Sequence, residues 1–71
     1  MTTDTKLIRM ANQIAQFFES QTGDRAAGIA AHINENWSPV MRAGLLAQSE
    51  AADLRPLVRA ALPALRPAPA A

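Results

Sequence analysis

The chain has 71 residues, with seven Lys or Arg, six Asp or Glu, one His and no Cys, for a formal net charge of +1. That bounds it to one small domain and excludes disulfides, zinc knuckles, thiolate-held iron–sulfur clusters and a cysteine nucleophile. So weak a charge points to no nucleic acid, no apolar run of about 18 residues is present to span a membrane, and the N-terminus shows no signal-peptide pattern, so a reducing, cytoplasmic home is expected.

Apolar spacing of three and four runs throughout, without strand-like alternation, so the expected fold is all-α. It is a small bundle of three to four short helices forming a single domain over 1–65, with a flexible Pro/Ala tail over 66–71. The first helix is predicted over about 5–20, capped by Asp4 or Thr5. Leu7, Met10, Ala11, Ile14, Phe17 and Phe18 form its inward stripe, and Gly23 closes it in a positive-φ turn. The second is predicted over about 25–37 with Asp24 as N-cap and Ala26, Ile29, Ala30, Ile33 and Trp37 on one face. Gly28 lies off that face, where it is either tolerated or approached closely by another backbone.

Ser38 and Pro39 open the third helix, predicted over about 39–48, as cap and first helical residue. Val40, Met41, Leu45 and Leu46 are spread around this helix, so burying them all takes a second covering surface. A fourth helix is predicted over about 54–62, with Asp53 as N-cap, Pro56 in its first turn, and Leu54, Leu57, Val58, Ala61, Leu62 and Leu65 facing inward. Pro63 ends or kinks it.

Sixteen of the 35 apolar residues are Ala, which leaves 19 larger ones. A chain with so little bulk and no covalent staple suits a partner that completes its burial. Catalysis finds little support. His32 has no second His and no Cys to complete a site, Ser20, Ser38 and Ser49 have no glycine elbow, and the three glycines match no phosphate-binding spacing. The carboxylates read as caps or solvated charge. The fourth helix, with Arg55, Arg59 and Arg66, suits a bundle better than an anionic membrane.

Read as words, the sequence resembles a known family. Lys6 to Phe18 resembles the opening of the delta subunit of NAD-dependent, molybdenum-containing formate dehydrogenase. Gly28 to Arg42, followed by Ala43 to Ala47, is similar to that family's central signature, with His32-Ile33, Trp37, Pro39 and Met41-Arg42 as its most specific part. Leu54 to Ala61 is similar to its ending. Asn36, Ser38 and Val40 depart from the aromatic, acidic and basic residues frequent there.

The resemblance implies a non-catalytic accessory subunit that binds no cofactor itself. The implied complex oxidises formate to carbon dioxide and reduces NAD. It carries bis-molybdopterin guanine dinucleotide and iron–sulfur clusters on a large alpha subunit, and FMN on another. The expected partner is that alpha subunit, whose molybdenum site this chain helps to assemble or maintain. The expected docking residues are His32, Trp37, Pro39, Met41, Arg42, Leu45 and Leu46, with Arg42 pairing to a carboxylate across the interface. The alternative is a free-standing helical adaptor, or a homo-oligomer that covers its surplus apolar surface by symmetry.

Overall fold

A computed structural model describes residues 3–66. Four α-helices follow in chain order: α1 (Thr3–Glu19), α2 (Arg25–Asn36), α3 (Pro39–Leu46) and α4 (Pro56–Ala61), and α4 runs on into a 3-10 turn, Leu62–Ala64. No strand occurs among the described residues, so the fold is all-α. Helix α1 packs against each of the other three, and α2 lies along α4.

Local chemistry sets most boundaries. Asp24 caps α2, its carboxylate accepting from Ala27 N–H at 3.0 Å. Ser38 caps α3, its hydroxyl accepting from Met41 N–H at 3.2 Å, with Pro39 at the first helical position. Between α1 and α2, Gly23 takes φ +87°, a left-handed turn open to glycine at little steric cost. Pro63 removes a backbone donor, and the helix passes into 3-10 geometry at that point.

Four boundaries differ from those expected. Helix α1 already includes Thr3, so Asp4 and Thr5 lie in its first turn and do not cap it. There the Asp4 carboxylate favours the positive end of the helix dipole. Helix α3 stops at Leu46, and Gln48 and Ser49 donate three residues back, to Leu45 and Leu46. Helix α4 begins at Pro56, because a residue before proline is pushed out of the helical region; Arg55 sits at φ −65°, ψ 149°. Asp53 therefore does not cap it. At the C-terminal end, both backbone groups of Arg66 are hydrogen-bonded, so it belongs with the folded part. Positions 67–71 of the expected tail lie outside the described residues.

Two asparagines replace the missing cap and stop. From α1, Asn12 donates its amide to the Asp53 carbonyl at 2.9 Å and accepts from Arg55 N–H at 3.0 Å. From α2, Asn34 donates to the Ala64 carbonyl at 3.1 Å and accepts from Arg66 N–H at 2.8 Å. Each carboxamide thus clamps the carbonyl of one residue and the N–H two residues later, and the two clamps hold the ends of the α4 segment. Each hydrogen bond contributes about 0.5–1.5 kcal/mol net. Asn34→Ala, which loses two, is expected to lower stability by about 1–3 kcal/mol in thermal unfolding. Asn34→Asp should not restore it, since it turns an oxygen toward the Ala64 carbonyl. A melting curve of either variant within a degree of wild type would refute the clamp.

The core is one cluster: Leu7, Ala11, Ala15, Ile29, Ala30, Ile33, Trp37, Leu45, Leu54, Val58, Ala61, Leu62 and Leu65. Helix α1 gives it only Leu7 and two alanines, because small residues let this helix approach three others at once. Met10, Ile14 and Phe18 pack against the cluster partly buried, while Phe17 is 63% exposed.

Candidate docking groove

The buried line of α1, Leu7, Ala11 and Ala15, is narrower than its apolar spacing predicts. At about 100° per residue, Phe17 lies about 120° around the helix from Ala11, the middle of the buried line. Phe17, Met10 and Ile14 therefore fall on a flank that no other helix covers completely. Together with Phe18, Gln13, His32 and Trp37 they line an open groove of about 540 Å³ between α1 and α2. Phe17 and Phe18 meet edge to face, with ring centroids 5.3 Å apart and planes at 89°. The polar lining residues are Gln13 and His32; no carboxylate lines the groove.

Gly28 shapes the end of the groove near Phe18. A Cβ built there would stand 2.6 Å from Phe18 Cε1, so the neighbour that needs this glycine is an aromatic ring and not a backbone. At the opposite end of α1, Gly44 lies against Leu7 in the same way: a Cβ there would meet Leu7 Cδ1 at 2.7 Å.

The residues expected to dock divide into three groups. His32 is exposed on α2 and lines the groove with Trp37, whose indole is otherwise buried. Pro39 is exposed, and Met41 and Leu46 are half-buried. Leu45 is fully buried, so as folded it offers a partner no surface. Arg42 is only 8% exposed and works inside the fold. Its Nη1 donates to the Trp37 carbonyl at 2.8 Å, beyond the end of α2, and its Nε donates to the Arg66 carbonyl at 2.9 Å. Arg42 thus joins the α2–α3 corner to the end of the α4 segment. Besides Phe17, the exposed large apolar residue among those described is Val40, at 80%.

Met10, Ile14 and Phe17 were not expected at a surface. Their signal lay in the width of the apolar arc of α1, which exceeds what three short neighbours can cover. Elsewhere the surface is ordinary. A smaller depression of about 340 Å³ is lined by Thr5, Ile8, Arg9, Asn12, Gln13, Gln16, Asp53 and Arg55. Beside it, Arg55 and Glu19 form an exposed ion pair at 3.0 Å.

Among the described residues no group of three or more His, Asp or Glu is placed to hold a metal ion, and no helix is long and apolar enough to cross a membrane. With no Cys, the sequence offers no thiolate to hold an iron–sulfur cluster. The arrangement can bury apolar surface of another molecule, with one ring nitrogen and one carboxamide for orientation. No curated protein matches the chain. A family model does match, over residues 6–62, most of the chain: NADH-dependent formate dehydrogenase delta subunit FdsD.

Proposed function

Because the chain belongs to the family of NADH-dependent formate dehydrogenase delta subunits, we propose that it acts as a non-catalytic subunit that docks through the α1–α2 groove. Its partner is the large molybdenum-bearing subunit of the cytoplasmic complex. Docking supports assembly or maintenance of the molybdenum site, while bis-molybdopterin guanine dinucleotide, iron–sulfur clusters and FMN reside on the other subunits.

The observation that carries this reading is the open aromatic groove, with Phe17 63% exposed on a chain that has only 19 large apolar residues. Large apolar side chains left in water have no folding role there. Aromatic anchors in such grooves dominate binding energies elsewhere. His32 gives the groove one directional hydrogen bond.

Capture on a tagged large subunit tests the groove. Phe17→Glu places a charge where apolar surface is to be buried and is expected to weaken binding at least about tenfold. Its helix content should stay unchanged, because the side chain is outside the core. Recovery equal to wild type for a folded Phe17→Glu chain would show that docking uses another face. Deleting the chain from the expressed complex separates the two roles: loss of molybdenum from an intact assembly indicates cofactor support, and loss of assembly a structural part.

A further inference from the structure

Apolar side chains recur along the α1 wall of the groove at Met10, Ile14 and Phe17, four and three residues apart. Seven residues at 1.5 Å each make that wall about 10 Å long, or two helical turns. An extended peptide laid there would bring a backbone N–H and C=O with every residue. The groove offers them only the side chains of Gln13 and His32, and no strand edge exists among the described residues to pair them. A helix satisfies its own backbone, and its side chains three and four apart interlock with a wall of the same period.

A cation stands on the line of the groove at each end. Lys6 lies one turn before Met10 and within about 20° of Phe17 around the α1 axis. Arg25 lies two turns before His32 and within about 20° of it around α2, at the Phe18 end. There its Nε donates to the Gln21 carbonyl at 2.7 Å, which holds the side chain over the α1–α2 turn. Both cations are exposed, and neither forms an ion pair among the described residues. Asp24, next to Arg25, has its carboxylate on the Ala27 N–H. The acid of α2, Glu35, lies about 60° farther round from His32, away from the core side. We propose that the groove receives an amphipathic α-helix of the partner polypeptide. About two turns of its apolar face fill the groove, and Asp or Glu beside that face meet Lys6 and Arg25. This rests on the reading that the groove is the docking face. The apolar floor anchors the helix, while the rim charges steer it in and set its position along the groove.

The test uses the full chain and the formate dehydrogenase complex prepared without it. Gln13→Cys gives the chain its one thiol, to which a benzophenone maleimide is attached before mixing. Irradiated in the bound state, the probe should insert into partner residues three and four apart, in a segment with Asp or Glu beside its apolar positions, located by mass spectrometry. Insertion at alternate residues, or in a segment without acidic residues, would overturn the inference and leave the groove as the docking face. Lys6→Glu combined with Arg25→Glu, folded by circular dichroism, is expected to bind about tenfold more weakly at low salt. Most of that difference should vanish at about 1 M salt, where charges are screened beyond about 3 Å. Affinity equal to wild type at low salt would overturn the inference, while weakened Phe17→Glu in the same assay would show that the groove is still used. Wild-type affinity of folded Phe17→Glu, or insertion into a second copy of this chain, would overturn both the inference and the reading beneath it.

Discussion

Leu45→Ala is expected to destabilise the chain by about 2–5 kcal/mol, the range for truncating a fully buried leucine. Leu45 is among the four largest fully buried side chains and the one that α3 contributes. A domain of this size is stable by only about 4–10 kcal/mol in all. The cost therefore reaches roughly half of that stability, and the collapse available to relieve it is small. The surrounding core from α1 is alanine apart from Leu7, and an alanine cannot swing into a void. Thermal or urea unfolding gives the number directly. A loss under about 1 kcal/mol would mean that α3 is loosely held, and that Leu45 belongs after all to a surface left for a partner.

Gly44→Val is expected to be the second large effect, about 1–3 kcal/mol from overpacking. Helix propensity alone predicts the reverse sign for the smaller change, since Ala exceeds Gly by about 1 kcal/mol in a helix interior. The close approach to Leu7 decides the matter. A Cβ would stand 2.7 Å from Leu7 Cδ1, and Leu7 is itself only 5% exposed, so its methyl has little room to retreat. Gly44→Ala should thus fall near zero, gain against clash, while Val adds two methyl groups at the same close approach and gives up much of the helix-propensity gain. Melting temperatures for the pair separate the accounts. A Val variant as stable as wild type would show that α1 and α3 slide apart freely. Leu7→Ala combined with Gly44→Val should recover part of the loss, because the two share one volume.

The sequence was legible wherever the deciding interaction is local. Asp24 and Ser38 each cap a helix through an N–H three residues on, and Pro39 and Gly23 do what their own backbone restrictions require. Trp37, Ile29 and Ile33 share the inward stripe of α2 and all reach the core. The Asp53 cap failed for a reason that was also local, the restriction that Pro56 places on Arg55. The asparagine clamps could not be seen in advance: Asn12 meets Asp53 and Arg55, 41 and 43 positions later, and Asn34 meets Ala64 and Arg66, 30 and 32 later.

The expected docking set shows the same division. His32 and Trp37 line the α1–α2 groove, whereas Leu45 and the greater part of Arg42 lie inside the fold, because a short helix apolar on several sides gives no sign of which side its own bundle covers. The groove itself needed Met10, Ile14 and Phe17, which periodicity assigns to the core as readily as to a surface.

By itself, then, the sequence determined an all-α chain, the order of its helices, two of its caps and its family, since these follow from residue spacing, single-residue backbone preferences and the match over residues 6–62. Only the tertiary structure decided which flank of α1 stays open, what Arg42 holds and how α4 is clamped. Those depend on helices approaching until small residues touch, and a one-dimensional pattern does not record how closely its elements pack.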